Sequence, residues 1–298
     1  MIAVDWGTSS LRSYRLDESG AIRARRESPS GIMSVAGGAF AETLEAQLGD
    51  WIDDTPIVMS GMIGSRQGWH EVPYAECPAG AADIARLMQT IEWGKGRRAW
   101  IAPGLSCRDE AGVPDVMRGE ETQIIGALAE LPPGAATICL PGTHSKWVRW
   151  RDGGIAGFAT AMTGEVFAVL RRHSILGRLM AEGDAHDGDA FVAGLRRAGE
   201  AGGLLHHLFG ARTRGLFGEI GEKSLPSYLS GMLIGHEIAA LAPPDGGTVH
   251  LIGAAGLVGL YREALAACGR DSRIIDSDCV ARGLFLLAAH LPSGSDDA

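Results

Sequence analysis

Four short segments carry side chains whose types and spacing suit phosphate chemistry: residues 5–12, 115–123, 140–147 and 251–261. In the first, an apolar run delivers Asp5, then come Gly7, Thr8, Ser9 and Ser10, and alternation resumes through Leu11 to Leu16 with Arg12 near its start. Small residues at such a turn let backbone N–H groups approach an anion. A carboxylate beside phosphate is tolerable when a divalent cation lies between them. The segment therefore predicts a hairpin that grips phosphate, with Asp5 directed to magnesium. The competing structural reading is an ordinary polar hairpin.

The third segment, Leu140-Pro-Gly-Thr-His-Ser-Lys-Trp147, repeats that logic, with Gly142, Thr143 and Ser145 as donors and Lys146 as a cation. Two such turns would clamp a triphosphate from both sides. The second segment sets Glu120 and Glu121 side by side after Gly119, with Asp115 upstream. At a helix start the dipole favours ionised acids, and carboxylates near phosphate accept a hydroxyl proton or hold magnesium. Acidic residues are favoured in any first helical turn, so a purely structural role stays open. In the fourth segment a strand runs into Gly253-x-x-Gly256-x-x-Gly259, with Asp276 further on. The spacing departs from G-x-G-x-x-G, so a dinucleotide site and a backbone surface for adenine or ribose both remain open.

These segments need elements to position them. Strands are expected over 2–4, 11–17 and 21–27, and a helix over 40–52 with Phe40, Leu44, Leu48 and Ile52 on one face. A strand over 56–59 enters a glycine-spaced polar loop, 60–69, of the kind that carries function. A helix over 82–93, a strand over 99–103 and a helix over 120–131 follow, ending at Pro132-Pro133-Gly134. The pattern then restarts with strands over 136–140, 146–150 and 154–162, and helices fill 164–241. A strand over 248–252, a helix to 267, a strand over 273–275 and a helix over 279–290 close the chain. The expected class is α/β, in two domains, 1–134 and 135–298.

A chain of 298 residues with 46% hydrophobic content can bury two medium cores. Its formal charge of −9 argues against a nucleic-acid partner, and small molecules fit better. Of its 27 basic residues only Lys95, Lys146 and Lys223 are lysines. Five cysteines without metal-type spacing suggest free thiols in a reducing compartment. A first strand beginning at Ile2 leaves no room for a cleavable leader, and no apolar run reaches membrane-spanning length, so a cytoplasmic protein is expected. Composition leaves open whether the chain forms a homodimer.

The order of the segments resembles the sugar kinase, actin and Hsp70 superfamily, in which two ribonuclease-H-like (actin-like ATPase) domains close on ATP and magnesium at an interdomain cleft. Val4 to Arg12, the loop Ser60-Gly-Met-Ile-Gly-Ser-Arg-Gln-Gly-Trp69, Asp115 to Gln123 and Leu140 to Val148 are together similar to the 2-dehydro-3-deoxygalactonokinase family across nearly the whole chain. The resemblance implies phosphorylation of the C6 hydroxyl of 2-dehydro-3-deoxy-D-galactonate, with hinge closure excluding water. Asp5 would then bind magnesium through water. Gly7, Thr8 and Ser9 would hold phosphate, Gly142, Thr143 and Ser145 would form the second turn, and Gly253 and Gly256 would flank adenosine. Leu140 and Pro141 stand where the superfamily usually has an aspartate. The run Gly119-Glu120-Glu121 is similar to the catalytic Gly-x-Glu-Glu of exopolyphosphatases, which puts the base at Glu121, then Glu120, then Asp115.

The carboxylate of a 2-keto acid substrate calls for a bidentate guanidinium or a backbone nest. Arg66, between Ser65 and Gln67 in the polar loop, is the first candidate and Arg12 the second, while Trp69 is the candidate sugar platform. Rival functions are a polyphosphatase-like hydrolase on the same fold, a kinase for the gluconate epimer, a sugar-responsive regulator and a dinucleotide enzyme.

Overall fold

The computed structural model describes residues 1–52, 55–94, 96–183, 185–275 and 278–291. It divides into two units, one holding residues 1–135, 150–158 and 276–298, the other 136–149 and 159–275. Relative to a single cut after residue 134, the C-terminal segment returns to the first unit. The reason lies in its packing, described below.

In chain order the first stretch contains β1 (Ile2–Trp6), β2 (Leu11–Leu16), β3 (Ile22–Ser28), α1 (Phe40–Leu48), β4 (Ile57–Ser60), β5 (Ala75–Glu76), α2 (Ala81–Arg86), β6 (Gln89–Trp93), β7 (Arg97–Ile101), β8 (Leu105–Arg108), β9 (Pro114–Met117) and α3 (Glu120–Gly126). There follow β10 (Ala136–Leu140), β11 (Ser145–Arg151), β12 (Gly154–Ala161), α4 (Thr163–His173), α5 (Gly188–Ala198), α6 (Gly203–Leu216), α7 (Leu225–Leu241), β13 (Val249–Leu251), α8 (Ala255–Ala267), β14 (Ser272–Ile274) and α9 (Cys279–Ala288).

The first unit is built on a sheet ordered β3-β2-β1-β4-β7-β6. β1 is buried along its whole length and pairs antiparallel with β2 and parallel with β4. Both of its faces are covered, as an uninterrupted apolar strand requires. Ile2, Val4 and Trp6 meet Phe40, Leu44 and Leu48 of α1 on one side. On the other, Ala3 meets Val280, Ala281 and Leu284 of α9. Without α9 that second face would be bare, and burying each large aliphatic contributes roughly 1.5–3 kcal/mol. A smaller sheet, β5-β8-β9, leads the chain into α3.

The expected helix over 82–93 is corrected. α2 stops at Arg86, and 89–93 pairs antiparallel with β7, placing Ile91 opposite Ala99. Ile84, Leu87, Met88 and Ile91 satisfy helical spacing, but Ile91 and Trp93 are buried while Glu92 between them is exposed, which is a strand's period. α3 also ends early, at Gly126, where it meets α9 backbone to backbone. A β-carbon at Gly126 would lie 1.7 Å from the Cys279 carbonyl oxygen. Arg282 of α9 donates from Nη1 to the Gly126 carbonyl at 3.2 Å, covering an end-of-helix acceptor.

The second unit's sheet runs β12-β11-β10-β13-β14, with β13 parallel to β10 and β14. Its core joins Phe191 and Leu195 of α5, Ile234 and Ile238 of α7 and Val258 and Leu265 of α8 to Cys139, Trp147 and Leu251. α5 and α7 also touch through glycine: a β-carbon at Gly231 would lie 2.0 Å from the Phe191 carbonyl oxygen. The leading five strands of the first sheet and all five of the second share one order: third, second, first, fourth, fifth. This is the ribonuclease-H-like plan, present twice. Among the described residues, no helix is long and apolar enough to cross a membrane.

Candidate active site

In the first unit the chemistry gathers at the carboxyl ends of β1 and β4, where ligands bind in sheets of this kind. Asp5 is buried near the end of β1, and its Oδ2 lies 3.1 Å from Nη2 of Arg12, its cross-strand partner. Burial raises its pKa, and the Arg12 charge opposes that rise. The turn after it is closed by Gly7 N–H donating to the Ser10 carbonyl at 2.9 Å. Behind it, Ile32 and Met33 donate to the carbonyls of Gly7 and Thr8. That bracing needs Gly31, whose β-carbon would sit 2.3 Å from the Thr8 oxygen. Thr8 and Ser9 face solvent, as a ligand-gripping turn should present them.

Two glycines bring the remaining groups close. Gly61, at φ +94°, follows β4, and a β-carbon there would meet the Trp6 carbonyl at 2.8 Å and Asp5 Oδ1 at 3.4 Å. Gly119, at φ +105°, has its would-be β-carbon 3.3 Å from the Gly61 α-carbon. Gly119 also begins the acidic segment: its N–H donates to Glu121 Oε2 at 2.7 Å, and the Thr122 hydroxyl donates to Oε1 at 2.9 Å. Glu121 is closed to solvent. Burial first, then the neighbouring Glu120 charge, push its pKa up to about 7. Glu120 is half-buried and accepts from the Arg118 N–H at 3.0 Å. Asp115 lies apart on β9, opposite Cys107, where its Oδ1 accepts from the Val116 N–H at 2.7 Å.

The polar loop folds tightly on itself. Ser65 Oγ donates to the Met62 carbonyl at 2.7 Å, and Val72 N–H donates to the Gly64 carbonyl at 2.9 Å. Arg66 and Gln67 are exposed at its tip, with Arg66 Nε 3.7 Å from Glu71. Trp69 turns inward, stacking on Phe40 at 6.3 Å and meeting Trp93 edge-on at 5.5 Å. Its ring packs on this core while staying half-buried. Arg118, a residue the sequence reading passed over, anchors the loop by donating to the Val72 carbonyl at 2.7 Å while lying over the Tyr74 ring.

In the second unit the turn 141–144 abuts the start of α4, where a β-carbon at Gly164 would lie 2.5 Å from the Gly142 oxygen. Thr143 and His144 are exposed, and His144 pairs with Glu165. Ser145 and Lys146 turn inward: Lys146 Nζ donates to Thr160 Oγ1 at 2.8 Å, and Ser145 Oγ is 2.8 Å from the Tyr261 hydroxyl. Beside this turn lies a cavity of about 340 Å³, bounded by Gly142, Thr163, Phe167, Ile234, Leu257 and Tyr261. It is of the size and mostly apolar character of a small-molecule pocket. Gly253, at φ +148°, ends the loop after β13, and Gly256 is exposed in the first turn of α8 with open space where its side chain would be. Asp276 lies outside the described residues.

In the first unit a turn of glycine and hydroxyl residues beside Asp5 suits phosphate, and Glu121 heads α3; in the second a like turn borders an apolar pocket. A family model described as 2-keto-3-deoxy-galactonokinase matches residues 5–287. The chain belongs to this family. It is therefore a kinase. A Rhizobium meliloti (strain 1021) protein described as a probable 2-dehydro-3-deoxygalactonokinase is 42% identical over 294 residues, covering 96% of this chain and 95% of that one. The 2-dehydro-3-deoxygalactonokinase of Escherichia coli K12 is 34% identical over 292 residues, 97% of each chain. A crystal structure described as that of a "putative 2-dehydro-3-deoxygalactonokinase protein" from Sinorhizobium meliloti superimposes with a TM-score of 0.89 at 42% identity, covering 96% of this chain and 97% of that one.

Among the described residues, no three acidic, histidine or cysteine side chains of the kinase cluster as an all-protein metal cage. Magnesium in phosphoryl transfer keeps several waters and takes one or two carboxylates plus substrate phosphates. Asp5 is a donor of that kind, so the residues present fit a nucleotide-borne ion.

Proposed function

We propose that this kinase uses ATP to phosphorylate the C6 hydroxyl of 2-dehydro-3-deoxy-D-galactonate, giving 2-dehydro-3-deoxy-6-phospho-D-galactonate in D-galactonate breakdown. The hydroxyl oxygen bonds to the γ-phosphorus, the bond from that phosphorus to the β–γ bridging oxygen breaks, ADP leaves, and the hydroxyl proton goes to a carboxylate. The observation that carries this reading is Glu121: a carboxylate at the head of α3 with its pKa near 7 is tuned for a general base at neutral pH. Its two oxygens have about four acceptor positions, and the N–H of Gly119, the hydroxyl of Thr122 and its own N–H take three.

In this account Thr8 and Ser9 of the first turn, with Gly7, receive phosphate oxygens, and Arg12 holds Asp5 in place. Magnesium, held through Asp5, would supply charge neutralisation on those oxygens. The nucleoside end is assigned to the second unit, against Gly253 and Gly256, whose neighbour Leu257 lines the pocket, with Gly142 and Thr143 beside its phosphates. Arg66, supported by Ser65 and Gln67, is assigned to the substrate carboxylate. Asp115, on β9 rather than at the head of α3, stands behind Glu121 and Glu120 as candidate base.

One observation favours a second reading of the base. Glu121 is closed to solvent while Glu120 is not, so Glu120 could take the proton with Glu121 holding Gly119 in place. Phosphorus NMR of the product tests the reaction: a single new phosphomonoester on C6, formed only with the sugar acid present, is expected. Inorganic phosphate beside ADP, with no phosphomonoester, would replace the kinase with a hydrolase.

A further inference from the structure

The second unit contains a buried carboxylate that the reaction above does not use. Glu237 lies on α7, a helix apolar on nearly all sides, and is 5% exposed. Its Oε1 accepts from Trp147 Nε1 at 2.7 Å and its Oε2 from the Tyr261 hydroxyl at 2.7 Å. The Thr163 hydroxyl also serves as a donor to it. These donors come from β11, the first residue of α4, and α8. Thr163 and Tyr261 also bound the pocket, and Ser145 closes the turn beside it.

We infer that Glu237 is a positioning residue of the phosphoryl-donor site, fixing the turn 142–145 through Tyr261 and Ser145. This inference rests on the reading of that pocket and turn as the nucleotide site. A buried carboxylate is costly unless its oxygens are hydrogen-bonded, and here neutral donors from the surrounding elements supply those bonds. The geometry also sets the direction of each bond. Tyr261 has one hydroxyl proton, and it goes to Glu237. Towards Tyr261, therefore, Ser145 can only donate, at 2.8 Å. Ser145 Oγ is then left with lone pairs on the turn side, where the Gly142 N–H lies 3.5 Å away. By accepting from Tyr261, the carboxylate thus decides which way the serine proton points in a turn expected to face phosphate.

Glutamine at 237 would reverse this chain. The amide has a single acceptor oxygen, and Trp147 Nε1 can only donate, so that oxygen belongs to Trp147 and the amide N–H₂ faces Tyr261. Tyr261 must then donate to Ser145, and the serine proton swings towards the turn. Tyr261→Phe breaks the same chain at its middle by removing one oxygen while keeping the ring in the core. Both variants act on one path, so their effects should overlap rather than multiply.

The test is steady-state kinetics of the full chain with ATP and sugar acid varied in turn, for wild type, E237Q, Y261F and the double variant, alongside thermal melting. The expected result is a rise of about tenfold in the KM for ATP in each single variant, the scale of one hydrogen bond or slightly more, with kcat and the KM for sugar acid changed far less. The double variant should match Y261F alone. A purely structural Glu237 would lower the melting temperature and leave the KM for ATP where it was, which overturns the inference. Multiplying effects in the double variant would overturn it too. Should E237Q fail to fold, the ATP dependence of Y261F still decides. A wild type with no sugar-dependent ADP formation would remove the kinase reading itself, and this inference with it. Wild-type turnover with unaltered KM for ATP in the variants would remove this inference alone.

Discussion

Gly283 on α9 and Thr122 on α3 meet backbone to backbone: a β-carbon at residue 283 would lie 1.9 Å from the Thr122 carbonyl oxygen. The C-terminal helix therefore holds the helix that begins with Glu120 and Glu121, and also covers Ala3 of the central strand. G283A should push the two helices apart and destabilise the protein by roughly 3 kcal/mol, the upper part of the range for overpacking. Thermal melting checks the stability. Because the shift moves α3, kcat/KM measured well below the melting temperature should fall as well.

Glu121 links stability and activity with opposite signs. Its carboxyl titrates at about 7 in the folded protein against an ordinary 4.5, so between those values the folded chain keeps a proton that the unfolded chain has released. Stability from this group is present below pH 4.5 and declines as pH rises to about 7, by about 3 kcal/mol in all. A base must be ionised, so kcat/KM should rise over the same upper interval. E121Q should flatten the pH dependence of stability and lower kcat by about 10²–10⁴-fold. Denaturant melts across pH 4.5–8 and a pH–rate profile give both readings. If E120Q instead shows the larger loss of kcat, Glu120 is the base.

Arg66 contributes little to the fold, since its contact with Glu71 is long and exposed. R66A should leave the melting temperature unchanged and raise the KM for the sugar acid about tenfold, with the KM for ATP unaffected. Lysine in its place should recover little, because a carboxylate is best met by a planar fork. Equal sugar-acid KM values in wild type and R66A would remove Arg66 from the substrate site.

Gly256 has open space where a side chain would go and stands in the first turn of α8 without a left-handed conformation. G256L should fold as well as wild type or slightly better, since glycine costs up to about 1 kcal/mol within a helix. The leucine would project into space assigned to the nucleoside, so the KM for ATP should rise at least several-fold. An unchanged value would separate Gly256 from nucleotide binding.

Much of the fold was legible because local patterns and the final packing agree. Alternation through Leu11 to Leu16, the acidic start after Gly119 and the renewed strand–turn–strand after Gly134 all became the expected elements. Where two periods fit the same residues, as in 84–93, the hairpin partner β7 decided, and no local signal reveals a partner. The return of α9 to the first sheet is a long-range contact of the same kind. Within the site, residue type located the turns but not the direction of each side chain: Ser145 and Lys146 point inward, and Trp69 serves the core. Glu237 did leave a sign in the sequence, a lone acid in an otherwise apolar helix, which needs buried donors to exist.

The central claim is that phosphoryl transfer here requires the sugar acid. ADP formation with ATP and magnesium, measured without sugar, with 2-dehydro-3-deoxygalactonate, with its gluconate epimer and with common hexoses, tests it most directly. The account predicts turnover with the galactonate compound and background rates without sugar and with hexoses. ADP release that does not depend on sugar, or none with the galactonate compound, would contradict it.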